Sequence, residues 1–289
     1  MMLTDRLRLE PTAALVMQWA LKLYTADAVL QYVNQLDLSS GETLLKECNS
    51  VCDWYDEVIL NRKSFIKYLI EQELSAAKQE FQLIFLAAGK SPLTVEILYY
   101  TNPHKIHRIF EIDSSGMEDK KSLYLQVCPE LTDKLRCVTA DITSPDILSV
   151  LDMPVNGYRH DMQSIIIMEG ISYYLHKNDL QNIITRFRTD RENLFIIEYM
   201  IPYRYVNPAR RQIPEEIFKI IQDSCGLSAV TSYTKNELRT LFLKNRGNLI
   251  ASYSLADMEL NRTGVNAYFK KRSDGWIECA IGKIGTQPL

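Results

Sequence analysis

From residue 81 onward, short apolar runs alternate with helical patterns, and successive runs end in small or acidic residues. This alternation constrains the fold more than any other feature of the chain. The runs cover 81–86, 108–113, 135–140, 164–168, 193–198, 248–253 and 276–284. Between them, 93–100, 117–126, 180–187, 214–224 and 235–244 read as helices. Several runs are apolar throughout, as in Leu83-Ile84-Phe85-Leu86 and Ile165-Ile166-Ile167-Met168, which suits strands buried on both faces. The expected fold class is α/β, a doubly wound, mostly parallel seven-stranded sheet covered by helices. Residues 265–284 read as a hairpin turning at Ser273-Asp274-Gly275, so one antiparallel strand is expected in the sheet.

The first 80 residues have the helical period instead. Residues 12–36 read as one helix, with Pro11 suited to its first turn, and 57–79 as a second long helix. The polar stretch 37–50 reads as a loop and short helix. The chain therefore divides into a helical cap or lid, 1–80, and a sheet domain, 81–289.

Composition narrows the function classes. At 289 residues, 46% hydrophobic and 24% charged, the chain can bury a large core, which excludes global disorder. A formal net charge of -3 offers no footprint for a polyanion, so no nucleic-acid partner is expected. No run of about 18 apolar residues exists, so no membrane partner is expected either. Residues 13–21 are apolar like a signal-peptide core. Asp5 and Glu10 dilute Arg6 and Arg8, however, and the helical pattern continues through Lys22, so a cytoplasmic protein is expected. The six cysteines, Cys48, Cys52, Cys128, Cys137, Cys225 and Cys279, lack Cys-x-x-Cys or zinc spacing. Reduced thiols and no metal site are expected. Lys270-Lys271-Arg272 reads as a solvated turn.

In a doubly wound sheet, ligands bind beyond the carboxyl ends of the strands. The first strand ends in Ala87-Ala88-Gly89, small residues that let a ligand approach the backbone. The second ends in Asp113, placed to accept from ribose hydroxyls. The third ends in Asp141-Ile142 and the fourth in Glu169-Gly170. Each has a plain alternative: a tight strand-to-helix turn, a helix N-cap, a loop acid. Their joint occurrence at four successive strand ends points to a nucleoside-type cofactor. Gly-x-Gly-x-x-Gly is missing, and Gly89-Lys90-Ser91 lacks the upstream glycine spacing of a phosphate-binding loop, which disfavours pyrophosphate. A cofactor with ribose and adenine but no phosphate fits, and S-adenosylmethionine is such a molecule.

These stretches resemble the leucine carboxyl methyltransferase family of S-adenosylmethionine-dependent methyltransferases. Gln82-Leu83-Ile84-Phe85-Leu86-Ala87-Ala88-Gly89 resembles its "Leu-Gly-Ala-Gly" strand and turn. Phe110-Glu111-Ile112-Asp113 resembles its "Glu-Val/Leu-Asp" strand end, and Ala140-Asp141-Ile142 its "Ala-Asp-Leu". The most specific piece is Glu169-Gly170-Ile171-Ser172-Tyr173-Tyr174-Leu175, similar to "Glu-Gly-x-x-x-Tyr-Leu". The order holds from about residue 55 to the end. The resemblance implies a Rossmann-like methyltransferase domain and assigns cofactor contacts to Arg62, Ala87, Gly89, Asp113, Asp141, Ile142 and Glu169. Arg62 would grip the methionine carboxylate, Asp113 the ribose, Asp141 and Ile142 the adenine, and Glu169 would lie near the methionine ammonium. Tyr174 falls on the family's tyrosine and is the implied catalytic residue. Two departures stand out: Ala87 replaces the family's first glycine, and Lys90-Ser91-Pro92 replaces "x-Asp-Thr". Lys22 does not align with the family's N-terminal lysine.

Methyl transfer displaces a leaving group that is already activated, so proximity and orientation are the enzyme's main contribution. A carboxylate acceptor is ionised at neutral pH and needs no general base, whereas a phenol or alcohol usually does. Of the four histidines, His104, His107 and His160 fall away from the expected cleft, and His176 follows the Tyr-Leu motif. This scarcity favours a small-molecule or peptide carboxylate, or another acidic hydroxyl. Tyr173, Tyr199, Tyr203 and Arg204 are the candidate acceptor contacts, with Tyr205, Arg210 and Arg211 nearby. The alternatives are a non-catalytic binding protein of the same fold, which the altered turn keeps open, and methylation of a protein's C-terminal leucine. A nicotinamide oxidoreductase would need a glycine-rich turn and a Tyr-x-x-x-Lys pair, and the chain has neither at Tyr199 or Tyr203.

Overall fold

A computed structural model describes residues 6–101, 103–226 and 230–285. Asp5 and the side chain of Cys225 lie outside the described parts. Two short strands, β1 (Leu7–Arg8) and β2 (Leu36–Asp37), pair in parallel. Around them lie α1 (Pro11–Ala20), α2 (Asp27–Val33), α3 (Glu42–Val51) and the long α4 (Asp56–Ala76). The main sheet is built from β3 (Phe81–Leu86), β4 (Ile106–Asp113), β5 (Leu135–Thr139), β6 (Ser164–Met168), β7 (Asn193–Met200), β8 (Asn248–Ser254) and β9 (Ile277–Ile284). Its helices are α5 (Leu93–Tyr100), α6 (Met117–Val127), α7 (Ile147–Leu151), α8 (Lys177–Arg186), α9 (Gln212–Cys225), α10 (Lys235–Lys244) and α11 (Leu255–Thr263).

The strand order is β5-β4-β3-β6-β7-β9-β8, parallel except that β9 runs antiparallel to both β7 and β8. The expected seven strands and single antiparallel insertion are present. After β3 the chain winds outward to β4 and β5, then returns to place β6 on the other side of β3. That reversal opens a crevice at the carboxyl ends of β3 and β6, the usual ligand position in such sheets. Register keeps those ends level: Leu86 lies opposite Ile112 and Met168, and Asp113 opposite Thr139.

Two expected elements differ. The 12–36 helix is interrupted: α1 ends at Ala20, a 3-10 turn spans Leu21–Leu23, and Tyr24 is extended before α2 begins. Leu15, Met17 and Trp19 are buried within α1, whereas Leu21, just past its end, is exposed. The break swings Tyr24, Val29 and Tyr32 into the core. The 265–284 hairpin also does not form. The buried carboxylate of Glu259 in α11 accepts the backbone N–H groups of Tyr268 and Phe269 at 3.0 and 2.8 Å, which holds that segment as a loop. β9 pairs with β7 and β8 instead.

The apolar core is continuous across residue 80, since Leu15, Tyr32 and Ile66 belong to the same buried cluster as Ile84 and Ile166. Among the described residues, no helix is long and apolar enough to cross a membrane. Cys48, Cys52, Cys128 and Cys279 are buried and unpaired, and Cys137 is partly buried. Burial pushes the Cys48 and Cys137 thiols up to about 12.

Candidate active site

A cavity of about 360 Å³ occupies the crevice beyond β3 and β6. Leu9 and, from α1, Ala13, Val16 and Met17 give it an apolar wall. Arg62 and Lys63 enter from α4, and Glu169, Ile171, Tyr173 and Tyr174 follow β6. The turn after β3 forms its floor, with Ala87 at φ +56° and Gly89 at φ +49°. A Cβ added at Gly89 would enter open space. The left-handed backbone, not crowding, is therefore what favours glycine there.

Asp113 fixes this turn. Its Oδ2 accepts from Gly89 N at 2.8 Å, and its Oδ1 from Ser114 N at 2.8 Å. It reaches the cavity through Gly89 without lining the wall itself. Lys90, just ahead of the Ser91-Pro92 departure from the resembling pattern, ties the same turn to the β4–α6 loop by donating to the Gly116 carbonyl. Burial and the nearby Lys120 hold the Lys90 ammonium below its usual range. Beneath the turn, Glu111 lines the cavity and accepts from Thr94 Oγ1 at 2.7 Å, Lys120 Nζ at 2.8 Å and Tyr124 Oη at 3.0 Å. Its charge is fully engaged.

Two ion pairs cross the cavity wall. Arg62 is buried, and its Nη1 donates to Glu198 Oε1 and to Tyr173 Oη at 3.4 Å. Its Nε has no partner among the described residues, nor has Glu198 Oε2. Burial opposes the Arg62 charge, but Glu198, Tyr173 and Glu169 outweigh it and hold the guanidinium above its ordinary value. Burial raises the Glu198 carboxyl above its usual range, against the pull of Arg62. In the second pair, Lys63 Nζ lies 2.5 Å from Glu169 Oε1. Burial opposes ionisation of Glu169, yet Lys63 and Arg62 prevail and keep its carboxyl below the usual range.

The structure thus brings together Arg62, Ala87, Gly89, Glu169, Tyr173 and Tyr174, with Asp113 one hydrogen bond behind. Asp141 and Ile142 follow β5, two strands from β3, and do not line this cavity. Asp141 Oδ1 accepts from Thr143 N at 2.8 Å and Thr143 Oγ1 at 2.7 Å, hydrogen bonds that lower its pKa. Tyr199 is not brought to the cavity. Successive residues on a strand face opposite ways, so Glu198 meets Arg62 while the Tyr199 hydroxyl turns to Ser252 and Glu278. Tyr203 packs behind Tyr173 with Met200 and Phe218. Arg204 is exposed, its guanidinium 4.9 Å from the Tyr205 ring. Arg210 lies over Trp54 at 5.2 Å, and Arg211 donates to the Val206 carbonyl. Lys63, Glu111 and Glu198 were not singled out as site residues from sequence. Glu198 ends the apolar run 193–198 as the other acids end theirs, and Lys63 adjoins Arg62, so both carry a usable signal.

The arrangement suits the amino-acid end of an adenosine cofactor. A guanidinium with an unpartnered nitrogen and a carboxylate wall one cavity, the donor and the acceptor that a zwitterion requires. The small-residue turn with open space at Gly89 admits a ligand against the backbone.

The model of the leucine carboxyl methyltransferase family matches residues 19–188 of the chain. No curated protein matches it. Among solved structures, a candidate methyltransferase from Thermobifida fusca YX is similar at 14% identity and a TM-score of 0.65, over 96% of each chain. A DUF574-family protein from Streptomyces avermitilis MA-4680 is similar at 10% identity and a TM-score of 0.59, over 94% of this chain and 97% of the other. These two likenesses concern the fold. The family match covers more than half of the sequence, and the chain belongs to the leucine carboxyl methyltransferase family, as an S-adenosylmethionine-dependent methyltransferase.

Proposed function

We propose that this enzyme methylates a carboxylate of a small-molecule or peptide acceptor, with S-adenosylmethionine held at the β3–β6 crevice. The observation that carries the reading is the pairing of Arg62 and Glu169 in one cavity, at the position the sheet reserves for ligands. Bound there, the cofactor supplies a methyl group on a positively charged sulfur, an electrophile that needs no further activation. Arg62 would take the methionine carboxylate through the side of its guanidinium turned away from Glu198 and Tyr173. Glu169 would take the ammonium, and Asp113 the ribose hydroxyls while it holds Gly89. Asp141 and Ile142 would border the adenine.

None of the four histidines lines the cavity, and Glu111 and Glu169 are committed to cations. That supports an acceptor that arrives already ionised. Tyr173 and Tyr174 line the cavity with ring centroids 4.8 Å apart and would orient the acceptor. Tyr203 would support Tyr173 from behind. Exclusion of water under α1 would strengthen the electrostatic contacts.

Isothermal titration with S-adenosylmethionine and S-adenosylhomocysteine, with NADH as control, tests the cofactor site. Micromolar binding of the two sulfur nucleosides alone is expected, lost in Arg62→Ala and in Asp113→Ala. Unchanged affinity in both variants would overturn the assignment. A screen of carboxylate acceptors with methyl-labelled cofactor then tests the substrate class.

A further inference from the structure

We infer that Lys63 is an internal cation held where the cofactor's ammonium must sit, so that it competes with the ligand for Glu169 and sets the affinity for the amino-acid end. This rests on the reading of the cavity as the cofactor site. Lys63 Nζ and Glu169 Oε1 are 2.5 Å apart, with side chains 9% and 15% exposed. A ligand ammonium at Glu169 would meet Lys63 already in place.

The structure also provides somewhere for Lys63 to go. A second cavity of about 140 Å³ adjoins the first, and Lys63, Ser91, Leu93 and Glu169 line both, so the ion pair stands in the partition between them. The second cavity is polar-walled by Ser64, Lys67 and Glu96. Glu96 pairs with Lys67 at 3.1 Å, and burial raises its carboxyl despite that partner. Lys63 already acts on Glu96 electrostatically beside Lys67, so a carboxylate stands on that side of the partition to receive its ammonium. The flexible stem of a lysine lets its ammonium swing from Glu169 toward Glu96 without moving α4. Arg62, one residue earlier, is fixed by Glu198 and Tyr173. The two neighbours thus divide the work: Arg62 is a fixed receptor, and Lys63 a displaceable occupant.

A ligand that binds only molecules with Glu169 free has its affinity reduced by the fraction of such molecules. If Glu169 is free in about one molecule in ten, the apparent Kd is about tenfold weaker than the intrinsic one. The reduction applies only to ligands that carry an ammonium.

The test compares S-adenosylhomocysteine with 5′-methylthioadenosine, a thioether nucleoside without the amino-acid end, on wild type, Lys63→Met and Lys63→Gln. The variants are expected to bind S-adenosylhomocysteine about tenfold tighter, and all three proteins to bind 5′-methylthioadenosine alike. The second ligand reports an intact fold and adenosine site. Equal or weaker S-adenosylhomocysteine binding beside unchanged 5′-methylthioadenosine binding overturns the inference, and weaker binding makes Lys63 a ligand of the methionine carboxylate. Loss of both ligands in both variants makes Lys63 a structural residue and overturns it too. A wild type that binds neither nucleoside overturns the cofactor-site reading beneath it.

Discussion

Arg62 and Glu198, 136 positions apart in sequence, meet through a single guanidinium nitrogen, Nη1, which also serves Tyr173. Nε makes no hydrogen bond among the described residues. Nε belongs to the edge whose two parallel N–H groups can grip a carboxylate bidentately.

Arg62→Lys tests this edge. Lysine keeps the charge beside Glu198 but cannot present a planar fork. Loss of a charged hydrogen-bond pair costs about 1.5–3 kcal/mol, so S-adenosylhomocysteine is expected to bind roughly 10- to 100-fold more weakly. Affinity for 5′-methylthioadenosine should not change. Calorimetry that finds equal losses for both ligands would place Arg62 in the framework instead.

Ala87 is one of two described non-glycine residues with positive φ. An L-residue in the left-handed region costs about 1–2 kcal/mol, part of which glycine returns as chain entropy. Ala87→Gly is expected to stabilise the protein by about 1 kcal/mol, which raises Tm by about 2–4 °C. Thermal unfolding checks it. A lower Tm would show that the Ala87 methyl, which packs on the core from the cavity floor, is worth more than the strain.

Much of the sheet was legible because its signals are local. Apolar runs bounded by turn residues mark β3 to β9, and acids at strand ends locate Asp113 and Glu169. The missed elements depend on distant partners. Tyr24 breaks the first helix because the core needs it, and 265–271 stays a loop because the buried Glu259 holds the backbone of Tyr268 and Phe269. The capping box of Ser254 with Asp257, which starts α11, is itself a local Ser-x-x-Asp signal. In the site, Lys63 looks like a solvated helix lysine until Glu169, 106 residues away, is folded against it. Tyr199 was placed with the acceptor by its position after a strand, whereas the strand pleat turns it to the opposite face from Glu198.

The start of α10 gives a prediction in pH. Thr234 Oγ1 accepts from Glu237 N at 3.2 Å, and Glu237 accepts from Thr234 N at 2.7 Å and Lys177 Nζ at 2.6 Å. Lys177 first, then the Thr234 cap, against some burial, bring the Glu237 carboxyl down to about 2. Unfolded glutamate titrates near about 4.3. The folded value is depressed, so the stabilisation is present above about pH 4.3 and disappears as pH falls toward about 2. Glu237→Gln should cost less than about 1 kcal/mol at neutral pH, because the pair is exposed. It should also flatten the acid limb of the stability curve. Urea titrations between pH 3 and 7 would show parallel wild-type and variant curves if the pair contributes nothing.

The absence of a histidine from the cavity wall gives the last prediction. His176 is the exposed N-cap of α8, His160 pairs with Asp152 at 2.7 Å, and His104 and His107 flank the start of β4. Burial pushes the Tyr173 hydroxyl well above its ordinary pKa, so it serves as a donor and not as a base. A carboxylate acceptor with a pKa of about 4 is already ionised at neutral pH. With such an acceptor, kcat should stay flat between about pH 6 and 9, and His176→Gln should match wild type. With a phenol of equal size the rate should climb with pH as the acceptor itself ionises near about 10, because no residue removes its proton. An acid limb centred near about 6.5 that His176→Gln abolishes would bring that histidine into the chemistry and make a hydroxyl the better acceptor.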